Sequence, residues 1–181
     1  LTGPVSRSGT AVSTTINGAP PGTYSLRFSD VPFYSTPPSA TNLLAPSGSI
    51  TFSGSYTYDD TNHNGVSDAW ERYYLGTVAP SNAATNDSDG DGMPDYAEFI
   101  AGTNPTNAAS KLTFLSNIVS NGVVNLQWSA IPGRMYQVQS TTDLDNWFPV
   151  TGWLQATTSP MSFSTTNSDF GSRLYRIQVR P

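Results

Sequence analysis

The chain has 181 residues, among them 15 Gly, 14 Pro, one His and no Cys, and only 12% of its side chains are charged. Its formal net charge of −5 is unevenly spread: nine of the thirteen acids fall between Asp59 and Glu98, where Arg72 is the one base. An anionic field without a basic cluster excludes a nucleic-acid role. No apolar run is long enough for a membrane-spanning helix, and no disulfide can form.

Residues 1–58 read as β. Tyr24, Leu26 and Phe28 alternate with Ser25 and Arg27, and Ile50, Phe52, Tyr56 and Tyr58 share one parity, the mark of half-buried strands. Asn17-Gly18, Pro20-Pro21-Gly22, Pro37-Pro38 and Ser47-Gly48 supply turns. The segment is short for a sandwich, so its first strand is expected from upstream of Leu1 or from another chain. With no Met at the start and no signal peptide, the chain reads as a processed product or a piece of a longer secreted polypeptide.

Residues 59–110 break the alternation. Two stretches fit one template: Asp60-Thr61-Asn62-His63-Asn64-Gly65-Val66-Ser67-Asp68-Ala69-Trp70-Glu71, and Asp87-Ser88-Asp89-Gly90-Asp91-Gly92-Met93-Pro94-Asp95-Tyr96-Ala97-Glu98. Each has oxygen-bearing side chains at positions 1, 3, 5, 9 and 12 and Gly at position 6, the pattern of a twelve-residue calcium loop. Ca²⁺ takes six to eight hard oxygens. Alternate residues of a tight loop converge on one point, and Gly at position 6 permits the bend that brings round the backbone carbonyl of position 7, Val66 or Met93. A two-turn helix is predicted after each loop, Asp68 to Leu75 and Asp95 to Ala101, ended by Gly76 and Gly102. Trp70, Tyr73 and Tyr74, like Tyr96, Phe99 and Ile100, lie at i, i+3, i+4. Helices this short do not persist alone. The rival reading, a solvated acidic linker, gives no reason for aromatic residues at helical spacing.

Residues 111–181 return to β. Val124, Leu126 and Trp128, then Tyr136 and Val138, then Tyr175, Ile177 and Val179 each alternate with polar residues. About six strands fit, which suits a sandwich of the immunoglobulin or fibronectin kind.

The paired loops resemble thrombospondin type 3 repeats and dockerin loops, and they depart from an EF-hand because no helical pattern precedes either loop. The resemblance implies two bound Ca²⁺ ions, with ligands Asp60, Asn62, Asn64, Val66, Asp68 and Glu71 in the first site and Asp87, Asp89, Asp91, Met93, Asp95 and Glu98 in the second. Asn at positions 3 and 5 makes the first the weaker site. The flanks, with Pro21-Gly22-Thr23-Tyr24 and Phe52-Ser53-Gly54-Ser55-Tyr56 on one side and Gly133 to Val138 and Asp145-Asn146-Trp147 on the other, look like immunoglobulin-like (fibronectin-like) modules of large secreted bacterial proteins. The expected fold class is therefore mainly β, with two small immunoglobulin-like sandwiches, 1–58 and 111–181, joined by a double calcium-loop segment, 59–110, with two short helices.

Catalysis has little to work with. His63 is the sole His and sits at position 4, where side chains point outward, and no Cys or second His exists for a nucleophile–base pair. The expectation is a non-catalytic, calcium-stabilised extracellular module with a structural or adhesive role, as a stalk, fibre or surface-layer component. Its candidate partners are copies of itself in head-to-tail contact or neighbouring modules of a longer chain. The alternative is a carbohydrate-binding accessory module of a secreted polysaccharide-degrading enzyme, with Trp147, Trp153 and Tyr136 as an aromatic platform; against it, Tyr136 also suits a core.

Overall fold

The structure, a computed structural model, describes residues 1–7, 15–78, 85–166 and 172–181. It is mainly β with two short helices. The chain divides into two compact units, Leu1–Asp59 and Asp60–Pro181. Both acidic loops therefore fall in the second unit, together with the C-terminal strands.

In the first unit, β1 (Gly22–Leu26) pairs antiparallel with β2 (Ala40–Leu44), in a register that sets Tyr24 opposite Asn42. Tyr24 is buried, and its hydroxyl donates to the Pro20 carbonyl at 2.8 Å. The alternating residues 50–58 form no ladder among the described residues; their backbone link is an isolated bridge from Thr57 to Ser35. Side chains hold this stretch instead. Tyr56 meets Phe28 edge-to-face, Tyr58 meets Tyr34 likewise at 5.3 Å, and a Cβ on Gly54 would collide with the Phe28 ring. Alternation thus marks which rings turn inward here, without a partner strand in register.

The second unit opens with the first loop and α1 (Asp68–Leu75), then the second loop and α2 (Asp95–Ala101). Among the described residues seven strands follow: β3 (Phe114–Ser120), β4 (Val123–Trp128), β5 (Met135–Thr141), β6 (Phe148–Pro149), β7 (Leu154–Gln155), β8 (Met161–Thr166) and β9 (Leu174–Arg180). One sheet has the order β3-β4-β8. The other is centred on β5, with β9 along its whole length and β6 and β7 each pairing with part of it. The inward residues of both sheets make one core, Val124, Leu126 and Trp128 from β4 against Tyr136 and Val138 from β5, as period-2 patterning requires.

Two features lie outside that core. On the second sheet, Arg176 stacks over Trp147 at 4.3 Å and Arg180 over Trp153 at 4.0 Å. On the first, β3 is an edge strand, bulged at Leu115, that leaves Leu115, Ile118 and Val119 more than half exposed.

Candidate metal centre

The helices form where the local signals place them. Neither first turn has a side-chain cap; each instead carries two acids, Asp68 and Glu71 or Asp95 and Glu98, that complement the exposed N–H groups. Each helix stops at a glycine in the left-handed region, Gly76 at φ 76° and Gly102 at φ 77°. The Gly102 and Thr103 amides both donate to the Glu98 carbonyl. Trp70 and Phe99, both buried, bring the two helices together with ring centroids 5.8 Å apart.

The two loops repeat one backbone path. Positions 4 and 6 have positive φ in both, His63 at 57° and Gly65 at 82°, Gly90 at 75° and Gly92 at 91°. The position-1 carboxylate draws the coil inward. Asp60 accepts from the amides of Asn64 at 3.0 Å and Gly65 at 2.9 Å, while Asp87 accepts from Asp91 at 3.2 Å and Gly92 at 2.8 Å. The position-5 side chain then accepts from position 7, Asn64 Oδ1 from the Val66 amide and Asp91 Oδ1 from the Met93 amide.

Position 9 is bound up in both loops. Asp68 accepts from the amide and hydroxyl of Thr61 at 2.9 and 2.8 Å, and from Arg72 at 3.3 Å. The Thr61 amide, with help from its hydroxyl and from Arg72, holds the Asp68 carboxyl below its usual range, although burial opposes this. Asp95 accepts from the amide and hydroxyl of Ser88 and from the Asn86 side chain at 2.6 Å. These carboxylates brace the entry of each loop. A contact from position 9 to an ion would run through water.

In the second loop Asp87, Asp89 and Asp91 each bring a carboxylate oxygen within 4.8 Å of the others. Asp95 and Glu98 are not in that trio, but Glu98 is wholly buried beside it. Its Oε1 accepts from the Thr103 hydroxyl at 3.0 Å. Its Oε2, with Asp89 Oδ2 and Asp91 Oδ2, is buried without a hydrogen-bond partner. Burial pushes the Glu98 carboxyl up to about 7, and the charges of Asp89, Asp91 and Asp95 push the same way, against the Thr103 hydroxyl. Buried anionic oxygens left without donors are costly. A hard divalent cation removes that cost, so these residues fit Ca²⁺.

In the first loop Glu71, also buried, meets amide groups instead. Asn64 Nδ2 donates to it at 2.7 Å, and Asn62 Nδ2 lies 3.3 and 3.4 Å from its two oxygens. Val66 is fully buried and Met93 partly so. His63 is exposed.

Several residues that sequence reasoning passed over support this centre. The repeated hydroxyl at position 2, Thr61 and Ser88, was a visible signal for the brace. Thr103 on Glu98, and Lys111 donating to the Asp91 carbonyl at 3.1 Å, had none.

Residues 87–108 match the family described as the bacterial TSP3 repeat, a structural calcium-binding repeat that occurs in extracellular proteins and is not a catalytic family. The match spans the second loop, α2 and the turn after it; the first loop lies outside. No curated protein and no solved structure matches the chain. Among the described residues no helix is long and apolar enough to cross a membrane.

Proposed function

We propose that this chain is a calcium-stabilised structural module of an extracellular protein, in which two Ca²⁺ ions stiffen the segment 59–110 between immunoglobulin-like β modules at 1–58 and 111–181. Asp87, Asp89, Asp91, the Met93 carbonyl and Glu98 hold one ion, with Asp95 acting through water. Asp60, Asn62, Asn64, the Val66 carbonyl and Glu71 hold the other, with Asp68 in the same bracing place. The observation that carries the reading is the trio of buried, donor-less oxygens on Asp89, Asp91 and Glu98 inside a segment that matches a calcium-binding repeat. Once bound, the ion neutralises the carboxylates and ties α2 to the loop that starts it. Calorimetric titration with calcium after chelation tests this. Saturable binding in the extracellular range, with Kd of roughly 10⁻⁴–10⁻³ M or tighter, supports it. No heat and no change in melting temperature at 10 mM calcium sinks it.

The role is mechanical and assembling, with copies of this chain or neighbouring modules as partners. The edge of β3, which pairs with no other strand on that side among the described residues, and its exposed Ile118 and Val119 support this, since such an edge can accept another strand. The polysaccharide reading gains less. Tyr136 is buried in the core, and Trp147 and Trp153 each have an Arg across the ring.

A further inference from the structure

The two loops follow the same path but end differently at their centres. At position 5 the turn needs an oxygen to accept the position-7 amide. Asp91 gives Oδ1 to the Met93 amide at 2.7 Å and keeps Oδ2 for the centre. Asn64 has one oxygen, which accepts from the Val66 amide at 2.8 Å, and no second oxygen to turn to the centre. What Asn64 turns inward is its Nδ2, a donor, and Glu71 accepts from it at 2.7 Å. Reversing the amide would put N–H against N–H at Val66, so the turn itself fixes the orientation. Asn62 adds a second amide on Glu71 at 3.3 and 3.4 Å. The first loop thus meets its buried carboxylate with its own N–H groups, and the buried atom to which it gives no hydrogen bond is the neutral Asn62 Oδ1, whereas the second loop leaves oxygens of three carboxylates, Asp89, Asp91 and Glu98, without a donor.

We propose that the first loop is closed by its own side chains: the amides of Asn62 and Asn64 stand on Glu71 where a cation would stand, so this loop keeps its fold without calcium and accepts an ion only after the second loop is filled. The inference rests on the calcium reading of the paired loops and adds an order of loading and its cause. An ion entering the first loop must break the Asn64–Glu71 hydrogen bond and displace that amide, at the expense of the bond that the Val66 amide makes to it. An ion entering the second loop only relieves repulsion. The first loop then acts as a metal-independent platform. Through the contact of Trp70 with Phe99 it presents α1 to α2 before calcium arrives.

The test is amide hydrogen exchange on the full chain in EGTA and at rising calcium, with the Asn64→Asp variant alongside. In EGTA the amides of Asn64, Gly65 and Val66 are expected to stay protected while those of Asp91, Gly92 and Met93 exchange at least about tenfold faster than with calcium. In titration the second-loop signals should shift first, and those of the first loop at a calcium concentration on the order of tenfold higher. Asn64→Asp, which supplies a second oxygen at position 5, should close that gap and lower the EGTA protection of its own loop. Equal loss of protection in both loops in EGTA overturns the proposal, as does simultaneous loading or a gap unchanged by Asn64→Asp. If the second loop does not respond to calcium at all, the calcium reading itself has failed. Protection of the first loop in EGTA still decides whether that loop is self-closed.

Discussion

Single residues set the terms of each loop. Asp89 Oδ2 is a buried anionic oxygen without a donor, whereas Asn62 is a neutral amide already engaged with Glu71. Asp89→Ala is therefore expected to weaken calcium binding at the second loop by at least about tenfold, and Asn62→Ala to weaken the first loop by less, as calorimetric titration of both variants would show. His63 is an exposed non-glycine residue at φ 57°, where an L side chain is strained and the second loop has Gly90. His63→Gly should cost nothing or stabilise by up to about 1 kcal/mol in denaturant unfolding, the relief of strain competing with the greater freedom of Gly in the unfolded chain. Far from the loops, the Asp143 carboxylate accepts from the Asn146 side chain and amide, the Thr141 hydroxyl and the Asp145 amide. Those donors, the Asn146 side chain foremost, hold its carboxyl well below the usual range. A depressed carboxylate contributes stability that is fully present above the unfolded-chain value, about pH 4, and is lost as pH falls below it. Asp143→Asn should accordingly flatten the stability curve below about pH 4 and leave the shape at neutral pH unchanged, as thermal melts across pH would show.

At the scale of elements, the two C-terminal caps offer a matched pair. A Cβ on Gly76 would meet nothing, so Gly76→Ala should cost only the left-handed backbone strain, about 1 kcal/mol. A Cβ on Gly102 would lie 2.6 Å from Arg134 Nε, and Arg134 also donates to the Phe99 carbonyl at 3.1 Å. Gly102→Ala should therefore cost about 2–3 kcal/mol, the difference measuring how firmly Arg134 is held; equal losses in chemical denaturation would refute that. Much of this was legible in the chain itself. Gly76 and Gly102 mark helix ends, because caps are local, and Trp70 and Phe99 are buried as helical spacing predicts, but Tyr73 and Tyr96, which the same spacing groups with them, are exposed. The bracing role of Asp68 and Asp95 was hidden, because an Asp at a ligand position and an Asp that holds Thr61 or Ser88 look alike in sequence. The grip of Arg134 on Phe99 spans 35 residues and has no local pattern. Residues 50–58 mislead for a related reason: alternation reports which rings turn inward but not whether a partner strand lies in register, and here Tyr56 and Tyr58 find rings instead.

For the molecule as a whole, the loops belong to the same unit as the C-terminal sandwich, tied to it by Lys111 on the Asp91 carbonyl and Arg134 on the Phe99 carbonyl. All four tryptophans, Trp70, Trp128, Trp147 and Trp153, lie in that unit, while the first unit holds none. Tryptophan fluorescence melts should move to higher temperature with calcium as one cooperative transition, gaining about 2.7 kcal/mol at a hundredfold excess over Kd. The unfolding of Leu1–Asp59, followed by backbone amide exchange, should hardly respond. A calcium shift confined to the amides of 60–110, with Trp128 unmoved, would show that the sandwich is uncoupled from the loops. The bulged outer strand β3 adds a kinetic consequence. It lies within residues 112–133, a stretch without a single charge. Once heat loosens its pairing with β4, nothing electrostatic keeps one chain's stretch from annealing to another's. Cooling will then return less protein than was heated, and the apparent midpoint will drift with scan rate and concentration.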